Sequence, residues 1–186
     1  MKKFELTSET KINIFGKKLF RIKALISFAD VEAGETGGWV EKEGNVNQSG
    51  NAWVYGNAEV SGNAEVSGDA WVSDNAWVYG NAEVSGDAWV SGDAWVYGNA
   101  KVSGNAWVYG DAEVSGDADY TTIHGFGTQF RTTTFFRCKD KKVRVACGCF
   151  FGTIPEFREQ VKNTRKGKIA EEYLMIADLM ENHFEK

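Results

Sequence analysis

The side chains that carry most enzyme chemistry are scarce in this chain. It holds two histidines, His124 and His183, and three cysteines, Cys138, Cys147 and Cys149. An imidazole titrating near neutrality can serve as a general base, and His124 is the candidate, because His183 falls in a helical pattern. The plainer reading of His124 is a loop histidine with a satisfied hydrogen bond. Three thiols and His124 could supply four donors for tetrahedral zinc, but the Cys147-x-Cys149 spacing is unlike the CxxC pairs of zinc sites. Buried or idle thiols explain them more simply. Gly125-Phe126-Gly127-Thr128 lacks the following Gly and Lys of a phosphate-binding loop. No metal, no cofactor and no catalytic residue is expected.

The abundant chemistry is aromatic and acidic, and it is strictly spaced. From Gly50 to Thr121 the chain repeats every six residues: GNAWVY, GNAEVS, GNAEVS, GDAWVS and onward. Ala is always third and Val fifth until Tyr120. A fixed short period implies a solenoid, in which each unit buries its apolar side against its neighbours. In Ala-x-Val the two apolar side chains alternate about one residue, so both turn inward and the middle residue faces out. Gly-Asn and Gly-Asp tolerate the backbone angles of corners. The period is not that of a helix, whose apolar positions recur at i, i+3, i+4 and i+7.

An aliphatic residue followed four places on by a small one, as in Val54 then Ala58 and Val60 then Ala64, resembles the hexapeptide-repeat proteins. The resemblance implies a left-handed parallel β-helix with three hexads per triangular coil, commonly a homotrimer. It speaks for fold more than function, since one scaffold hosts many functions. A second resemblance spans nearly the whole chain. LFRIKAL (19–25), AGETGGWVEKEGNV (33–46), the GNAWV hexads and CGCFFGTIPEF (147–157) are similar to uncharacterised proteins of bacteriophages and prophages. It implies a phage or mobile-element origin, with no known activity attached.

Three hexads per coil stack residues eighteen apart, about 4.8 Å from one another. The outward residues then sort onto three faces. The first carries Trp53, Trp71, Trp89 and Trp107. The second carries Glu59, Trp77, Trp95 and Glu113, with Tyr79 and Tyr97 alongside. The third carries Glu65, Glu83, Lys101 and Asp119. Aromatic faces of this size are expected to be covered. Trp53, Trp71, Trp89 and Trp107 are the expected oligomer interface. Trp77, Trp95, Tyr79, Tyr97, Glu59 and Glu113 are the expected ligand or partner platform, where indoles stack and carboxylates accept hydrogen bonds.

The elements that must hold these faces follow from the flanks. The expected fold is mainly β, with a small N-terminal β cap (1–37), a left-handed β-helix (38–125) and a C-terminal α+β cap (126–186). In the first cap, Ile12, Ile14, Leu19, Phe20, Ile22 and Leu25 suggest two strands turning at Gly16-Lys17-Lys18, before imperfect hexads from Gly38 and Gly44. In the last, Thr132 to Arg137 and Lys142 to Ala146 read as a hairpin. Thr153-Ile154-Pro155-Glu156 has capping-box spacing and starts a helix to about Thr164. A second helix, about Ile169 to His183, shows an apolar stripe of Tyr173, Ile176, Ala177, Met180 and Phe184, giving ββαα. Terminal units of solenoids close the open β edges.

Charge limits the partners. The net charge is −5, yet residues 50–125 hold one basic and eleven acidic side chains, while residues 126–186 hold twelve basic and eight acidic. An acidic coil repels nucleic acid, so none is expected as a partner. No stretch has membrane-spanning length, Met1 opens no signal-peptide pattern, and odd, clustered cysteines suit a reduced cytoplasm, here that of a bacterial host. The acyltransferases of the hexapeptide family use a histidine base within the coil, and its carbonic anhydrases use three zinc-binding histidines; no hexad here contains one. The expectation is a non-enzymatic homotrimer that binds or sequesters a host protein or a small nucleotide- or sugar-like ligand, with a possible anti-defence role. An acyltransferase using His124 and a structural virion-assembly protein are the alternatives.

Overall fold

In a computed structural model that describes residues 2–185, the chain is a parallel β-solenoid of about four turns with a module folded on each end. Three longer strands come first: β1 (Phe4–Ile12), β2 (Lys18–Ala24) and β3 (Thr36–Val40). Eleven two-residue strands follow, from β4 (Trp53–Val54) to β14 (Glu113–Val114). They form three parallel stacks, β4-β7-β10-β13, β5-β8-β11-β14 and β6-β9-β12. The register advances by eighteen residues: Trp53 pairs Trp71, Trp71 pairs Trp89, and Trp89 pairs Trp107. The second stack runs Glu59, Trp77, Trp95, Glu113, and the third Glu65, Glu83, Lys101.

The lumen is lined as the Ala-x-Val pattern requires. Every repeat Ala and Val from Ala52 to Val114 is at most 1% exposed. The corners use glycine at positive φ because consecutive coils approach backbone to backbone there. At Gly86 (φ +68°) a Cβ would lie 2.9 Å from the Gly104 nitrogen. Side-chain amides also step from coil to coil, with Asn63 donating to Asn81 and Asn81 to Asn99 at 3.2 and 3.1 Å.

The N-terminal module is an antiparallel hairpin, β1 with β2, that pairs through β3 with the second stack. Its strands are longer than the sequence suggested, and the turn lies at Asn13–Lys17, where Asn13 Oδ1 accepts from the amides of Phe15 and Lys17. The first coil is also irregular: Trp39 pairs Glu59 and Val46 pairs Val66, twenty residues apart rather than eighteen. Two polar side chains satisfy carbonyls at this end of the coil. Lys3 Nζ donates to the Gly50 and Ala52 oxygens, and the buried Asn45 amide to those of Gly62 and Ala64. Without such partners those groups would lose their hydrogen bonds away from water.

The C-terminal module departs from ββαα. Four antiparallel strands, β15 (Tyr120–Phe126), β16 (Arg131–Arg137), β17 (Val143–Cys147) and β18 (Phe150–Thr153), precede α1 (Ile154–Thr164) and α2 (Gly167–Phe184). The boundary expected at 125 therefore falls inside β15. The final hexad leaves the coil because Tyr120 stands where every earlier unit has Val, and a narrow lumen has no room for a phenol. The capping box forms, with Thr153 N donating to Glu156 Oε2 at 2.7 Å. Tyr173, Ile176, Ala177, Met180 and Phe184 bury against Phe135, Val145 and Phe157 on one side of the sheet. The other side, with Phe136, Cys138 and Ala146, closes the coil.

Candidate functional site

The two tryptophan columns meet different fates. In the first, Trp53 is fully buried by the chain's own N-terminal module. Phe4 and Phe28 pack edge-on against its indole at 5.9 and 5.4 Å. Trp53 is thus a core residue of one chain and offers no surface to another, which corrects its place in the expected interface. Below it, Trp71 is half-buried under Tyr55. Trp89 and Trp107 are 41% and 43% exposed. They meet edge to face at 5.6 Å, and Trp89 Nε1 donates to Ser73 Oγ. Among the described residues, no aromatic ring or hydrogen-bonding group of either end module meets the Trp89 ring.

The second column is a flat double stack. Trp77 and Trp95 lie 5.3 Å apart and 2° from parallel, and Tyr79 and Tyr97 lie 5.0 Å apart at 3°. Both end modules reach this flank. The Phe15 ring, on the β1–β2 turn, covers the top of Trp77 and Tyr79 at 5.7 and 5.0 Å. Lys139, on the β16–β17 turn, sets its ammonium 4.5 Å over the Trp95 ring, a cation–π contact.

The bracketing carboxylates are occupied. Lys11 pairs with Glu59 at 2.8 Å, and Glu59 is 8% exposed. Lys141 pairs with Glu113 at 2.7 Å while Tyr97 donates to its other oxygen at 2.9 Å. These two partners hold the Glu113 carboxyl below the usual carboxylate range. Burial pushes the Tyr79 phenol up to about 12 and raises Tyr97 as well. The six residues of the expected platform do come together, but as stacked rings whose acids already have lysine partners.

The histidines and cysteines are dispersed. His124 is exposed on β15, with Nδ1 3.3 Å from Thr132 Oγ1 and no carboxylate on its ring among the described residues. His183 lies on α2 against Phe184. Cys138 and Cys147 sit on opposite sides of the terminal sheet, and burial pushes the Cys138 thiol up to about 11. Among the described residues, no three His, Cys, Asp or Glu side chains converge as metal ligands.

Sequence reasoning missed one feature. Where the first column ends, a cleft of about 610 Å³ opens between the last coil and the terminal sheet. Asn105 and Trp107 line one side, and Arg131, Thr132, Gly148 and Cys149 the other. Only Trp107 belongs to the columns; in the sequence Thr132 reads as hairpin and Cys149 as an idle thiol, while Arg131 and Gly148 carry no signal.

Over residues 94–110 the chain is similar to a family whose model is described as the YdcK beta solenoid repeat. No curated protein matches the chain. The match covers the coil between Ala94 and Gly110 and agrees with the parallel stacking seen there, so this chain is a β-solenoid repeat protein.

Proposed function

We propose that the protein is a non-enzymatic binding scaffold of the hexapeptide type. It winds left-handed, assembles as a homotrimer, and serves a phage or prophage in the bacterial cytoplasm by holding a host protein or a small ligand. The observation that carries this reading is the contrast between the two columns. The end modules reach the Trp77–Trp95 flank through Phe15 and Lys139 and leave Trp89 to solvent, with Trp71 half-buried under Tyr55. Exposed, contiguous aromatics mark a surface that another molecule covers, and closed symmetry is the usual arrangement for a second copy. The subunit contact is therefore assigned to Trp89 and the exposed part of Trp71, while Trp107 faces the cleft at the foot of the column. The Trp77–Trp95 stack remains a flat aromatic surface, but a ligand there is held by stacking alone, since Lys11 and Lys141 already engage Glu59 and Glu113.

Equilibrium sedimentation tests the assembly. The parent chain is expected at three times its sequence mass, and Trp89→Glu at one, with an unchanged circular dichroism spectrum. A parent that sediments as a monomer at micromolar concentration sinks the assembly.

A further inference from the structure

The cleft below Trp107 has the composition of an anion site built against an aromatic wall. Its lining carries one cation, Arg131, and no carboxylate, in a chain of net charge −5. Arg131 is exposed and makes no side-chain hydrogen bond or ion pair among the described residues. The other arginines of the terminal sheet are engaged: Arg137 with Asp119 and the Phe184 carbonyl, Arg144 with Asp140. The turn beside Arg131 makes room for its side chain. Gly148 (φ +60°) leaves the space its side chain occupies, since a Cβ there would lie 2.4 Å from Arg131 Nη1 and 3.4 Å from Cδ and Cζ.

The opposite wall offers the Trp107 indole, 43% exposed, with the Asn105 amide beside it. The Thr132 hydroxyl also lines the cleft, 3.3 Å from His124 Nδ1. A guanidinium fork matches the paired oxygens of a phosphate. An open indole face takes a planar ring. The volume is within the range of small-molecule sites.

We propose that this cleft binds a planar aromatic ring carrying a phosphate, at the size of a nucleoside monophosphate, with the ring on Trp107 and the phosphate on Arg131. The site is complete within one chain, so it does not depend on the homotrimer. It narrows the small-ligand part of the proposed function and moves it away from the Trp77–Trp95 flank.

Calorimetric titration of the full chain at low salt tests it, using adenosine 5′-monophosphate, adenosine and inorganic phosphate as probes. The monophosphate is expected to bind at least about tenfold more tightly than either fragment. Arg131→Gln is expected to weaken the monophosphate by about tenfold or more while leaving adenosine unchanged. Trp107→Ala weakens both, and Trp107→Phe restores part of the loss. Gly148→Ala weakens the monophosphate alone, because its methyl group displaces Arg131. No heat with the monophosphate up to millimolar concentration overturns the proposal. So does binding indifferent to Arg131→Gln, or phosphate binding as tightly as the nucleotide. Arg131 lies off the tryptophan column, so sedimentation of Arg131→Gln separates a failed ligand site from a failed assembly.

Discussion

Trp53 and Trp89 occupy the same stack, one coil apart from a shared neighbour, yet truncating them should do opposite things. Trp53 is fully buried, with Phe4 and Phe28 edge-on against it. Removing a buried Trp side chain costs about 3–5 kcal/mol, the upper part of that range applying where the site cannot collapse. Here the coil backbone on one side is fixed by parallel pairing, so collapse must come from the hairpin. For a chain of this size about 4 kcal/mol corresponds to a fall of about 8–16 °C in melting temperature. Trp89 already faces water on one side and loses mainly its edge contacts with Trp71 and Trp107, worth about 0.5–1.5 kcal/mol each. Trp89→Ala is therefore expected to dissociate subunits with a small change within each chain. Both variants are followed by thermal circular dichroism over a series of concentrations, because dissociation itself lowers apparent stability. Hydrogen exchange should place the Trp53→Ala damage in β1 and β2, since solenoid contacts are largely with nearest neighbours. A Trp53→Ala protein melting within about 2 °C of the parent would refute the reasoning, as would unchanged exchange in residues 4–24.

Gly86→Ala should cost about 2 kcal/mol or more, because positive φ and a Cβ 2.9 Å from the Gly104 nitrogen act together; Gly104→Ala, at φ +64° with open space, should cost about 1, and urea midpoints distinguish them. Alkaline titration should show two opposed trends. Burial lowers Lys3 to about 8 from an ordinary 10.5, so the unfolded chain binds the extra proton and stability rises between those values. Burial raises Tyr55 and Tyr79 to about 12 from 10, so their contribution is intact below pH 10 and is lost as pH climbs through 12. Urea midpoints taken across this range check both signs, and Tyr79→Phe should soften the upper loss. Replacing Lys139 and Lys141 with Ala should change stability by no more than about 1 kcal/mol, since both side chains are solvent-facing, yet increase acrylamide quenching as Trp95 is uncovered.

The coil was legible because its rule is local and repeated. A lumen that admits only Ala and Val writes its period into the chain, and the eighteen-residue columns follow from it. The second helix was legible for the same reason, its stripe at Tyr173, Ile176, Ala177, Met180 and Phe184 recurring with helical spacing. What escaped was set by contacts between distant, non-repeating residues. Phe4 and Phe28 bury Trp53 only because the hairpin folds back over the first coil. Lys11 and Lys141 reach Glu59 and Glu113 from opposite ends of the chain. β15, with its threonines and Gly125, and β18, running into the helix cap, lack the alternation that marks a strand; pairing with β16 and β17 makes them strands. The cleft escaped because Arg131 and Gly148 are ordinary hairpin residues until the sheet is set against Trp107.

The end modules do two jobs, and the second argues for the assembly. Closing a solenoid requires only that the first and last coils be covered, and Lys3, Asn45, Phe136 and Cys138 accomplish that. The Phe15 turn and the Lys139–Lys141 turn go further, each setting a side chain on a four-ring stack, Phe15 on Trp77 and Tyr79 and Lys139 on Trp95. Among the described residues no aromatic ring or cation of either module is set against Trp89, although the terminal sheet faces Trp107 across the cleft and Phe151 meets Tyr109. Leaving indoles in water forgoes about 25 cal/mol for each Å² that could be buried. A chain that sets its own loops against one aromatic flank and leaves Trp89 bare on the other fits the proposed assembly, in which another copy of the chain would cover that indole.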